Sequence, residues 1–118
     1  MGYLTREEIL QARDLAYEDV EVPEWGGTVR VRGLMAYERD ELELEALEAQ
    51  KKPTAVRNVR ARLVARCLVN AEGKRLFTDA DAEELGKKHG AVIDRLFWVA
   101  QRLSMPQQDE PKNFGTER

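Results

Sequence analysis

Residues 20–34, VEVPEWGGTVRVRGL, constrain this chain more than any other stretch. Two alternating runs, Val20-Glu21-Val22 and Val29-Arg30-Val31-Arg32, flank Pro23, Glu24, Trp25, Gly26 and Gly27. Alternation is the period of a strand, and glycines reach the positive φ angles of a tight turn, so the stretch predicts a β-hairpin. Its four valines, Val20, Val22, Val29 and Val31, fall on one face. A two-stranded hairpin is not stable alone, so that face must be covered by the rest of the chain.

The cover has to come from helices. Thr5-Arg6-Glu7-Glu8 is a capping box, and Ile9, Ala12 and Ala16 follow at helical spacing, which predicts a helix over 6–17. Residues 36–50 are strong helix formers. Pro53 interrupts the chain, and a helix over 55–69 follows, with Val56, Val59, Leu63 and Cys67 as its apolar stripe. Residues 70–73 read as a turn and 74–77 as extended. Thr78 caps a short acidic helix. The last helix spans 91–104, with Val92, Leu96, Val99 and Leu103 on one face. Helices 6–17 and 91–104 carry the stripes able to cover the valines. The expected architecture is α+β: a small, mostly helical domain of four to five helices with one N-terminal β-hairpin. It occupies residues 1–104. Residues 105–118, with two prolines and few apolar residues, predict a disordered tail.

The residues offer little for chemistry. His89 is the only histidine and Cys67 the only cysteine, so a His-based metal cluster, a two-histidine acid/base pair and an internal disulfide are all out of reach. Cys67 lies on an apolar stripe, where small thiols are inert core. Asp79, Asp81 and Glu83 invite a calcium reading, but the sixth and twelfth loop positions hold Glu84 and Gly90 rather than glycine and glutamate. No glycine-rich phosphate loop has the required spacing. No enzyme activity, cofactor or metal is expected. No apolar run approaches the ~20 residues of a membrane span. The N-terminus lacks an apolar leader, and Arg6 stands where a myristoylation pattern needs Ser or Thr.

Charge is more informative. Residues 35–50 hold six acids against Arg39, while residues 51–66 hold six bases and no acid. The two segments either pair within one chain or face a partner or a further copy. The basic helix around 55–69 alone would suit a small regulatory or nucleic-acid-binding module, but the acidic block beside it repels phosphate. Arg60 falls inside the apolar arc of its helix, about 40° from Val56; it snorkels or pairs with a carboxylate at a contact surface. Arg62 belongs to the same basic block. Trp98 is displaced the other way, among Asp94, Arg95, Gln101 and Arg102, either stacked on Arg102 or offered as an aromatic anchor. Trp25, at the hairpin tip, either closes the core or is offered to a partner; core closure is the expectation, since large aromatics are mostly buried. The candidate partner-binding residues are therefore Trp98, Arg95, Arg102, Arg60, Arg62 and Trp25.

PEWGGTVRVRGL at 23–34, NVRARLVA at 58–65, GKRLFTDAD at 73–81, and DRLF at 94–97 with VAQRL at 99–103 occur in an order that resembles the tail assembly chaperones of long-tailed bacteriophages and prophages. The resemblance spans roughly residues 5–104 and implies a non-enzymatic protein with no catalytic residues to carry over. It implies binding to the tape measure protein, the long helical protein that sets tail length, keeping it soluble and helping tail tube assembly, with the major tail tube protein as a further partner. It implies a place in the host cytoplasm and absence from the mature virion. Many such proteins also exist as a longer frameshifted product, of which this chain would be the short form. Nucleic acid and membrane are not expected partners.

Overall fold

The computed structural model describes residues 2–51 and 58–105. The tail expected over 105–118 lies outside them from residue 106 onward, as do Val56 and the start of the helix expected from residue 55.

The capping box forms: the Thr5 hydroxyl accepts from the Glu8 N–H at 3.2 Å, and the Thr5 N–H donates to the Glu8 carboxylate at 2.9 Å. It starts helix α1, Arg6–Gln11. α1 stops well short of residue 17 and buries none of its residues; Ile9 and Leu10 are exposed. This corrects the expectation that the first helix covers the hairpin. Residues 12–16 are neither helix nor strand, and the end of the expected last turn is drawn to the sheet. Tyr17 begins strand β1, Tyr17–Val22, opposite Arg32, and the Gly33 N–H donates to the Ala16 carbonyl. A ladder of strand hydrogen bonds outweighs one further turn of a short, solvated helix.

β1 pairs antiparallel with β2, Gly27–Arg32, placing Val20 opposite Val29 and Val22 opposite Gly27. The turn is a 3-10 turn, Pro23–Trp25, closed by Gly26 at φ +78°. Only Gly26 of the two glycines needs the left-handed conformation; Gly27 enters the strand. The valine face forms as expected. Val22 and Val31 are fully buried, with Val20 and Val29 packed at the margin. The cover comes from the last helix, α5 (Gly90–Ser104), which lies on both strands and on helix α3 (Val59–Cys67). Val92, Leu96 and Ala100 of α5 meet Ala61, Val64, Ala65 and Cys67 of α3 in this core.

The sheet has a third strand that periodicity hides. α3 ends at Cys67, and Leu68 turns extended to open β3, Leu68–Val69, which pairs antiparallel with β2 through Val31 and Arg30. The helix expected to run through 69 gives way here because the free edge of β2 offers hydrogen bonds to buried backbone. The turn at 70–73 forms as predicted: the Asn70 side-chain oxygen accepts from the Glu72 and Lys74 N–H groups, and Gly73 sits at φ +85°. Val69 then bridges to Arg75. Thr78 and Asp81 form a second capping box, leading into the short helix α4, Ala82–Leu85.

Helix α2, Ala36–Lys51, matches the expected span. It enters from Gly33 and Leu34, which lie against the end of α5. The Leu34 N–H donates to the Ser104 hydroxyl at 2.9 Å, and Ser104 donates to the Ala100 carbonyl. This contact sets α2 beside α3 and α5.

Candidate partner-binding surface

The surface around α2 is held by two arginines whose importance lies in burial. Arg32, on the sheet face away from the valines, is 2% exposed, as is Glu38 on α2. They form a two-pronged pair with both N–O distances at 2.9 Å. Arg32 also donates to the Gly33 carbonyl, and Glu38 accepts from the Met35 N–H, the reach-back half of a capping box. Burial works against the charge on Glu38. The guanidinium and the Met35 N–H more than offset it, so its pKa lies below the ordinary value. Arg66 of α3 is 4% exposed. It donates to the Glu38 carbonyl at 3.2 Å and to Asp79 and Glu45 at 3.3 and 3.4 Å, with Glu41 3.4 Å away. Arg62 adds a contact to Glu45 at 3.7 Å. The acidic and basic segments therefore pair within the chain.

The candidate residues do not converge on one point. Arg95 forms a fork with Glu24 at 3.1 and 2.7 Å, and Arg102 reaches Glu18 at 2.7 Å; both tie α5 to the hairpin. The Arg95 fork lowers the Glu24 pKa to about 2. Arg60 pairs with Asp94 and lies 5.3 Å from the centre of the Phe97 ring. Trp25 is half-buried and packs on the core, in a shallow depression beside Phe77 and Leu85. Trp98 is different. It is 58% exposed and stands edge-on to Phe97, with ring centres 5.0 Å apart. Arg102 turns to Glu18, and the one cation–ring contact among the described residues is that of Arg60 with Phe97.

Between α2, α3 and α5 lies an open groove of about 390 Å³, lined by Leu34, Leu42, Val59, Leu63 and Phe97 and bounded on the α2 side by Arg39, Glu43 and Glu45. Cys67 is buried, and burial pushes its thiol up to about 12, which leaves it unreactive. His89 caps α5 by accepting from the Ala91 N–H. Among the described residues no group of three His, Cys, Asp or Glu could hold a metal ion. No described helix is long and apolar enough to cross a membrane.

The sequence matches the phage tail assembly chaperone family over residues 5–113. The chain belongs to that family. The fold of this chaperone is similar to the solved structure of the bacteriophage HK97 tail assembly chaperone, with a TM-score of 0.61 at 22% identity, covering 86% of this chain and 95% of that one. Comparison with curated protein sequences gives no match. The family is one of chaperones rather than enzymes, and its work implies a phage tail protein as partner.

The arginines that organise the chaperone's surface, Arg32 and Arg66, were not singled out by sequence reasoning. For Arg66 a signal existed. At 100° per residue it lies about 20° from Val59, inside the apolar arc, by the same criterion that picked out Arg60. Arg32 carried none, since alternation assigns it to the polar face of the hairpin.

Proposed function

We propose that the tail protein served by this chaperone is the tape measure protein. The chain binds it in stoichiometric amounts, masks its apolar surface until it is packed into the tail, and helps tail tube subunits to assemble around it. The family match carries this reading. The exposed apolar side chains support it: Tyr37, Leu44 and Leu47 on the outer face of α2, Val59 on α3 and Trp98 on α5 all remain in water. Masking needs no nucleotide, and the sequence has no phosphate-binding loop. The place of action is the host cytoplasm, and the chaperone leaves before the virion is complete. Arg60, Arg62 and Arg66 of the basic segment are each engaged with carboxylates, which speaks against a nucleic-acid-binding role.

Co-expression tests the proposal. The soluble fraction of the tape measure protein rises in the presence of this chain, and the two elute together on size exclusion. Mass spectrometry of purified virions finds the tape measure protein but not the chaperone. A client that stays insoluble, with no complex in solution, would overturn the assignment.

A further inference from the structure

We propose that α2 is an arm held by a salt-sensitive clasp: its distal part, from Glu41 to Lys51, tilts away from α3 about Glu38 when its ion pairs to Arg62 and Arg66 are screened. This does not depend on which client the chaperone serves.

The way α2 is docked sets it apart from its neighbours. α3 and α5 bury apolar side chains, Leu63 and Val64 on one and Val92 and Leu96 on the other, and packing of an apolar face is what holds most helices. The one residue that α2 buries is Glu38, a carboxylate in its first turn. Beyond it, Leu42 is only partly buried against the core, and Leu44 and Leu47 are exposed. Charge holds much of the remaining length. Arg66 reaches Glu41 and Glu45 at 3.4 Å each, and Arg62 reaches Glu45 at 3.7 Å.

The inner and outer contacts differ in kind. Arg32 and Glu38 are both buried, with both N–O distances at 2.9 Å, so salt screens that pair little. Glu41 is half-exposed and Glu45 partly so, which leaves the outer pairs longer, wetter and open to screening. The start of α2 is therefore fixed while its far end is lightly held.

Opening strands no charge. Arg66 is buried, yet it keeps Asp79, with Nε and Nη2 each 3.3 Å from one of its carboxylate oxygens, and Arg75 holds the same carboxylate at 2.8 Å. Departure of α2 thus leaves no uncompensated guanidinium. The closed arm also carries a cost. Glu45 Oε1 is shielded from water and accepts no hydrogen bond from the described residues. Such an acceptor is expensive to leave unmatched, and water satisfies it once the arm tilts. Leu42, Leu63 and Phe97 line the groove beneath the arm, so its position sets how much of their surface reaches water.

Nitroxide labels on Glu48→Cys and Lys87→Cys, in the full chain, read the position of α2 against the end of α4 by pulsed EPR. Cys67 is buried and unreactive, so only the introduced thiols take the label. Between about 0.01 and about 1 M sodium chloride the screening length falls from about 30 to about 3 Å. Over that range the label distance shifts by about 5 Å or more, the displacement of an arm about 20 Å long tilted by about 15°, and helical circular dichroism stays constant. Glu41→Gln with Glu45→Gln gives the shifted distance already at low salt. Asp40→Asn with Glu43→Gln removes the same charge from the same helix without touching the clasp, since Glu43 pairs with Arg39 of α2 itself; it keeps the wild-type salt response. A wild-type distance that stays fixed at all salt concentrations overturns the proposal. So does an equal shift in both double variants, which assigns the motion to the net charge of the helix. A loss of helical signal alongside the shift also overturns it, because α2 then unravels instead of tilting.

Discussion

Arg32 and Glu38 form a pair that neither residue can leave alone. Both are buried, so removing one leaves an uncompensated charge in the interior. Arg32→Ala should cost about 3–5 kcal/mol in a urea unfolding curve, whereas Arg32→Met with Glu38→Leu should recover most of that loss. Glu24 makes a different prediction, one about pH. Its carboxyl, ordinarily near 4.5, is held at about 2, first by the hydrogen bond from Arg95. A group whose folded pKa is depressed stabilises the fold above its unfolded value and loses that contribution as pH falls through the folded one. Stability should therefore decline between about pH 4.5 and 2, with Asp19, Glu38 and Asp79 shifted in the same direction. Glu24→Gln should make that decline shallower, as read from unfolding midpoints across the window.

At the scale of elements, the junction of β2, α2 and the end of α5 leaves no room for a side chain at Gly33. A Cβ built on Gly33 would lie 2.6 Å from the Leu103 carbonyl oxygen, which is backbone and cannot swing aside. Gly33→Ala should lower stability by about 1–3 kcal/mol, seen as a reduced Tm. Gly27→Ala is the matched comparison: no atom lies within 4 Å of its Cβ and its φ is not positive, so it should be neutral or slightly stabilising. Equal losses at both positions would mean that backbone freedom, rather than the packing of α5 on the sheet, explains Gly33. The same junction explains why α2 begins where it does. Glu38 caps its first turn and Arg32 holds Glu38, so the helix is anchored through its start, and its outer face stays in water.

Across the whole molecule, the opposing charge blocks act as an internal strap. Arg62 and Arg66 bind acids of α2, and Arg95 and Arg102 bind acids of the hairpin. Arg62→Glu should therefore lower stability by only about 0.2–1 kcal/mol, since the pair is partly exposed, and leave the mass by light scattering equal to that of the wild type. A change of mass would show that this arginine also reaches across a boundary between copies. Trp25 belongs to the same scale. It is half-buried against the core rather than enclosed by it, so Trp25→Ala should cost about 2 kcal/mol, less than a fully buried aromatic.

The sequence by itself determined what is local. Alternating valines specified the hairpin and its buried face, Thr5 and Thr78 specified their capping boxes, Asn70 and Gly73 specified a turn, and the stripe of α5 specified the face it buries. Each is a pattern within a few residues, so each is legible along the chain. The order of the quoted blocks was likewise enough to suggest the family. Only the tertiary structure decided where α1 stops, that Leu68 and Val69 leave a helical pattern to join the sheet, and which arginines are buried. Those outcomes depend on partners far apart in sequence: Arg66 meets Glu38 across 28 residues and Arg102 meets Glu18 across 84. A free strand edge or an unpaired buried charge carries a cost that appears only once the chain has folded back on itself. The groove arises in the same way, since its walls come from three helices that only the folded chain brings together.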